Sequence, residues 1–203
     1  GVYPWGTDTD FFTSGGERED WWLFLGRPTI NKGLPETLWL AAEKKLHLKA
    51  VIGIGHPSHQ QEIDDQMHLV EEANAAGAHV EIIVIPQGRH HHTLKREFYR
   101  RAKGFIAFFT SHEPFGLTTI EALSTGCPVV SSAKGALPEI IQEGKTGFIC
   151  KTKEDMMLAV DKIGEIDSKN CRDDAVQRFE ARVWAQNLIN LLPGLGEVKW
   201  PGP

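Results

Sequence analysis

The sequence predicts an α/β domain, a parallel β-sheet with helices packed on both of its faces. Two observations carry that prediction. Short apolar runs alternate with helix-length segments along most of the chain, and repeated strand-helix alternation makes successive strands parallel. The runs are also apolar throughout, as expected of strands buried on both faces.

Taken in order, strands are expected at 21–26, 48–55, 78–86, 104–109, 128–132 and 146–150. Helix-length segments lie between them at 34–45, 59–76, 93–102, 117–125 and 138–143. Ile63, Met67, Val70 and Ala73 mark one face of the second of these, and Leu94, Phe98 and Ala102 one face of the third. Helices at 154–166 and from about 173 to 192 complete the domain, and Leu-Pro-Gly-Leu-Gly with Lys-Trp-Pro-Gly-Pro makes a loose tail. In a sheet of this kind ligands bind at the carboxyl ends of the strands.

At 203 residues, 41% apolar and 24% charged, the chain suits one soluble domain with a single core. No apolar run nears membrane-spanning length. The formal charge of −5 gives no global basic field, which argues against a nucleic-acid partner while leaving room for a local anion site. Cys127, Cys150 and Cys171 are an odd set without metal-type spacing. That suits a reducing compartment better than a disulfide framework, and the cytoplasm is the expectation. The chain opens at Gly1 with neither methionine nor a signal-peptide pattern, as expected of a chain processed, trimmed or excised from something longer.

The segment richest in chemistry is Glu113-Pro-Phe-Gly-Leu-Thr-Thr-Ile-Glu121. Gly116 falls at a strand-to-helix junction. The free amides of Gly116, Leu117 and Thr118, with the positive end of the helix dipole, make a seat for a phosphate. Thr118 and Glu121 share a helix face while Glu113 lies in the preceding loop, so both acids are expected to border one ligand. A carboxylate beside a phosphate is unfavourable unless the ligand also offers it hydroxyls. A nucleotide sugar offers both. On this reading Glu121 takes the ribose hydroxyls, the amides take the diphosphate, and Glu113 faces the hydroxyls or the reacting carbon of the sugar.

This arrangement resembles the Glu-x7-Glu motif of retaining GT-B glycosyltransferases, most closely glycosyltransferase family 4. The resemblance implies a Rossmann-like domain, the donor-binding half of a GT-B fold, with Glu113 as its catalytic carboxylate. It also implies that neither a metal nor a cofactor is needed beyond the nucleotide-sugar donor.

Gly26-Arg-Pro-Thr-Ile-Asn-Lys-Gly33 leaves the first strand at the same sheet edge and matches the family's Gly-Arg-x4-Lys-Gly pattern. A departing diphosphate gains negative charge, which a guanidinium and an ammonium can stabilise without a metal. By the resemblance, Arg27 and Lys32 grip the donor's phosphates. Pro4-Trp-Gly-Thr-Asp8 with Phe11-Phe12 looks like the family's linker into this domain. The expected organisation is therefore a linker-like segment at 1–20, a nucleotide-sugar-binding domain at 21–192 and the tail at 193–203.

Further matches are Phe98-Tyr-Arg-Arg-Ala102, Ala133-Lys-Gly-Ala-Leu-Pro-Glu139, Glu143-Gly-Lys-Thr-Gly-Phe-Ile149 and the closing helix with Trp184. Ile85-Pro-Gln-Gly88 corresponds to the segment that borders the nucleobase in the family. Two positions depart from the pattern: Pro114 stands where glycine is frequent and removes one amide donor, and Ala136 replaces the second glycine of a Gly-Gly pair. In the family a first domain precedes the linker and supplies the acceptor site, so a missing N-terminal domain or a partner chain is expected.

Two features suggest other chemistry. Asp8-Thr-Asp10 has the Asp-x-Asp spacing of GT-A metal sites but coincides with the linker pattern. His90-His-His92 offers adjacent imidazoles, a spacing more usual in polar connections than in one convergent metal site. Neither is taken as a metal site. Trp21, Trp22 and Trp39 are expected in packing.

The implied function is transfer of a sugar, from a UDP-sugar, GDP-mannose or another NDP-sugar, to an unknown hydroxyl acceptor with retention of configuration. Two readings stand beside it. One is a non-catalytic nucleotide-sugar-binding module or regulatory half-enzyme that needs a partner domain. The other is a GT-B epimerase acting on UDP-N-acetylglucosamine, which shares the scaffold but not this glutamate pattern. An aromatic-rich face offers docking on a missing domain or on a membrane-bound enzyme, the one route by which peripheral membrane association is expected.

Overall fold

The computed structural model describes residues 6–86 and 91–190. Six strands, β1 (Trp22–Gly26), β2 (His47–Ile54), β3 (His79–Pro86), β4 (Gly104–Ala107), β5 (Val129–Ser132) and β6 (Gly147–Cys150), form one sheet. All pairings are parallel, in the order β3-β2-β1-β4-β5-β6. This is the Rossmann-like arrangement. The order reverses between β1 and β4, so the connections leaving their carboxyl ends diverge to opposite faces and open a crevice.

The helices are α1 (Leu34–Lys44), α2 (Ser58–Asp64), α3 (Met67–Ala75), α4 (His91–Arg101), α5 (Leu117–Ser124), α6 (Leu137–Ile140), α7 (Lys153–Lys162), α8 (Ser168–Phe179) and α9 (Ala181–Asn190). They form two packed groups: α1 with α3 and α7, and α5 with α4 and α8. Covering the sheet on both sides explains why the strand residues Leu23, Leu48, Ile52 and Ile106 are fully buried.

Three helical segments differ from the sequence expectation. The helix expected at 59–76 is two helices, broken at Asp65 and Gln66. The Gln66 side-chain Nε2 donates to the Glu62 carbonyl and to the Pro28 carbonyl, which fastens the break to the loop after β1. In α4 the buried residues include Lys95 and Tyr99, while Leu94 is 43% exposed and Phe98 only half-buried. The helix is rotated so that a lysine and a tyrosine, rather than Leu94, face inward. The closing helix begins earlier, at Ser168, with Asp167 accepting the Lys169 amide, and it breaks at Glu180, where ψ is 137°.

That second break has a physical cause in the N-terminal segment. The Thr7 amide donates to the Phe179 carbonyl at 2.7 Å and the Ala181 amide to the Thr7 carbonyl at 3.0 Å. The backbone groups released where α8 ends and α9 begins are thus satisfied by residue 7. Arg172 holds the same segment by donating to the carbonyls of Thr9, Phe12 and Ser124. Arg18 donates to the carbonyls of Tyr99, Ala102 and Thr125, closing the ends of α4 and α5.

Trp21 and Trp22 are buried. Among the described residues no helix is long and apolar enough to cross a membrane. The expected tail at 193–203, Pro4 and Trp5 of the linker pattern, Gln87 and Gly88 of the nucleobase segment, and His90 lie outside the described residues.

Candidate functional site

The site is assembled where the loop after β1 meets the loop after β4. Gly26 ends β1, Ile30–Lys32 forms a 3-10 turn, and Gly33, at φ 75°, closes the turn and begins α1. A Cβ on Gly33 would fall 1.7 Å from the Phe108 carbonyl oxygen. Only glycine allows this approach, and the approach brings Lys32 to the β4 loop. The Lys32 ammonium lies 2.6 Å from Glu113 Oε2 and 4.8 Å from the centre of the Phe109 ring.

Glu113 Oε1 accepts the Gly116 amide at 3.2 Å. Lys32, Glu113 and Gly116, read separately as phosphate ligand, catalytic carboxylate and phosphate seat, therefore form one hydrogen-bonded cluster. The backbone of Glu113 is clamped from the loop after β5. The Ala136 amide donates to the Glu113 carbonyl at 2.9 Å, and a Cβ on Gly135, at φ 58°, would lie 2.1 Å from that oxygen. Gly116 is left-handed as well, at φ 65°, and opens α5 without a side-chain cap. The amides of Leu117 and Thr118, in the first turn, have no intrahelical acceptor.

Glu121 sits one helical turn further on and is almost enclosed, 7% exposed. Its Oε1 accepts from the Lys95 ammonium at 2.7 Å and its Oε2 from the Tyr99 hydroxyl at 3.3 Å. Burial, reinforced by the Glu121 charge, pushes the Tyr99 phenol well above its ordinary range, so Tyr99 stays a hydrogen-bond donor. A carboxylate has about four acceptor positions, and these contacts leave some for a ligand.

Glu121 and Leu117 line a cavity of about 530 Å³. Its other walls are His92 and Thr93 at the start of α4 and Thr7, Asp8, Phe11 and Phe12 of the N-terminal segment. Asp8 Oδ1 accepts the Phe11 amide at 2.8 Å, so one oxygen of the Asp-x-Asp pattern closes a local turn. Burial, with the charges of Lys95 and His92, lowers the pKa of His91.

The expected residues are thus brought together in part. Lys32, Glu113 and Gly116 touch, and Leu117 and Glu121 share a cavity whose lining does not include Glu113. Arg27 is exposed on the β1 loop and, among the described residues, makes no hydrogen bond or ion pair; Thr118 is half-buried in the first turn of α5. Sequence reasoning missed Lys95, Tyr99 and Gly135. The signal for the first two was a lysine and a tyrosine four residues apart, which puts both on one helix face.

A parallel sheet of this strand order, with a charged cluster where the order reverses, defines a Rossmann-like domain. The chain belongs to the family Glycosyl transferases group 1, whose pattern matches residues 8–180. It is 31% identical over 177 residues to a D-inositol 3-phosphate glycosyltransferase of Mycolicibacterium gilvum, covering 85% of this chain and 38% of that protein. It is 32% identical over 93 residues to a probable sucrose-phosphate synthase of Thermosipho melanesiensis, covering 44% of this chain and 22% of that protein.

Among solved structures, sucrose-phosphate synthase from Thermosynechococcus elongatus superposes with a TM-score of 0.78 at 23% identity, over 94% of this chain and 51% of that one. The C-terminal domain of a glycosyl transferase group 1 family protein from Francisella tularensis gives 0.68 at 23% identity, over 86% of this chain and 99% of that one. The fold is that of GT-B glycosyltransferases. The chain spans less than half the length of the curated relatives it matches.

Proposed function

We propose that the chain is the nucleotide-sugar-binding half of a retaining, metal-independent glycosyltransferase that moves a sugar from an NDP-sugar to a hydroxyl acceptor. The observation that carries this reading is the Lys32–Glu113–Gly116 cluster at the strand-order reversal. A donor diphosphate takes the Lys32 ammonium and the Gly116 amide for itself. Glu113 is thereby released toward the sugar.

As the glycosidic bond breaks, Arg27, Lys32 and the amides at 116–118 stabilise the charge growing on the leaving diphosphate. Glu113 stabilises the positive charge developing at the anomeric carbon. The leaving phosphate takes the acceptor proton, and the acceptor oxygen enters on the face that the phosphate leaves, which retains configuration. Glu121, held in place by Lys95 and Tyr99, takes the ribose hydroxyls. The cations supply the charge that a metal supplies elsewhere, so no cofactor is required. A second domain provides the acceptor site, in keeping with the greater length of the relatives. Three free cysteines agree with a cytoplasmic location.

Calorimetric titration with UDP, GDP and ADP sugars, with and without EDTA, tests the reading. Binding that survives EDTA and is lost in Arg27→Ala and Glu121→Ala supports it and names the nucleotide. Absence of binding to every donor removes it for this chain, and conversion of a UDP-sugar to its epimer without acceptor replaces transfer with epimerisation.

A further inference from the structure

At the opposite end of the sheet, β2 and β3 place two histidines and a carboxylate together. His47 and His79 are register partners at the first positions of the two strands, and Glu81 follows two residues later on the same face. The imidazole rings stack with centroids 4.4 Å apart and planes 10° apart. His47 Nε2 lies 2.6 Å from Glu81 Oε1. One ligand atom from each of the three residues lies within 4.8 Å of the others.

From this geometry we propose a binding site for a divalent transition-metal ion, zinc the best match, held by His47, His79 and Glu81 and completed by water. Two imidazoles and one carboxylate are a zinc-type donor set. Ligands roughly 2.0 to 2.1 Å from a tetrahedral ion stand about 3.3 Å apart. His47 Nε2 and Glu81 Oε1 stand closer than that, and all three ligand atoms lie within 4.8 Å of one another, so rotation of these partly exposed and exposed side chains is enough to reach it.

Lys49 is the competing cation, 3.9 Å from Glu81 Oε1, but it rests over the Trp21 ring at 4.8 Å. The His47 and Lys49 contacts both fall on Oε1, and Oε2 makes no hydrogen bond among the described residues.

β3 is one of the two edge strands, so an ion here clamps that edge to its neighbour β2. The site lies at the amino ends of these strands, roughly 23 Å along β2 from the carboxyl edge. It takes no part in donor binding and stands or falls independently of the proposed transfer.

The test is Zn²⁺ titration of EDTA-stripped protein at pH 7.5 by calorimetry, with Co²⁺ absorption as the spectroscopic readout. One equivalent is expected to bind with a micromolar dissociation constant and to raise the melting temperature. Because His79 is exposed, His79→Gln folds and should weaken binding at least tenfold, as should Glu81→Gln. The variant His90→Ala/His91→Ala/His92→Ala should bind as wild type does. Failure to bind Zn²⁺ at micromolar concentration, or binding lost in the triple variant and retained in His79→Gln, overturns the proposal.

Discussion

The Lys32 ammonium lies 2.6 Å from Glu113 Oε2, joining the two residues with the most opposed expected roles, phosphate ligand and catalytic carboxylate. The pair is partly buried, and Glu113 is engaged a second time by the Gly116 amide. In the proposed donor complex Glu113 would therefore compete with a diphosphate for both of its donors.

That competition predicts opposite effects from the two partners. Lys32→Ala should weaken binding of the preferred nucleoside diphosphate at least tenfold. Glu113→Gln should tighten it about fivefold, about 1 kcal/mol, because the ion pair no longer has to be broken. It should also abolish transfer in the complete enzyme. Calorimetry on the two variants decides, and weaker binding in Glu113→Gln would contradict the competition.

The clamp behind Glu113 predicts a contrast between two glycines with the same handedness. Gly144, at φ 69°, has open space where a Cβ would go, whereas Gly135, at φ 58°, has the Glu113 carbonyl there. Gly144→Ala should cost about 1 kcal/mol of stability, the left-handed penalty alone. Gly135→Ala should cost clearly more, at least about 3 kcal/mol, by adding displacement of the loop. Urea denaturation of both measures the difference.

The enclosed Lys95–Glu121 pair predicts strong non-additivity. Lys95→Met leaves a carboxylate enclosed without its cation and should destabilise by about 3 kcal/mol. Lys95→Met/Glu121→Leu should recover most of that loss while still failing to bind a nucleotide through its ribose. Denaturant midpoints for the four proteins of the cycle supply the coupling.

The buried thiols predict a loss of stability in alkali. Burial pushes Cys127 up to about 11 and Cys150 up to about 12, and raises Cys171 further. A group whose folded pKa is raised contributes its stability below the unfolded value and loses it as pH climbs toward the folded one. Stability should therefore fall from about pH 9 upward, steepened by Tyr99, whose phenol is raised by burial and by Glu121. Native protein at pH 8 should react with iodoacetamide far more slowly than denatured protein, and all three cysteines should label after unfolding.

Much of the fold was legible because its signals are local. Six apolar runs, helix-length gaps and the glycine before Leu117 foretold the strands and the start of α5 to within a few residues. The misjudged helices had non-local causes. Gln66 breaks one by reaching the Pro28 carbonyl, and residue 7 of the N-terminal segment breaks another at Glu180. The inward face of α4 was misread because apolar Leu94 and Phe98 were weighed above Lys95, whose burial makes sense only beside Glu121.

The sequence by itself determined the class of sheet, the family and the identity of the charged residues, since periodicity and motif spacing follow from residue order. Only the tertiary structure decided which of those charges meet. Lys32 and Glu113 are 81 residues apart and touch because β1 and β4 are neighbours and Gly33 lets their loops close. Likewise Lys95 and Tyr99 face Glu121 only because α4 packs against α5. Spacing along a chain sets what a segment can offer, whereas strand order and loop clearance set what it is offered to.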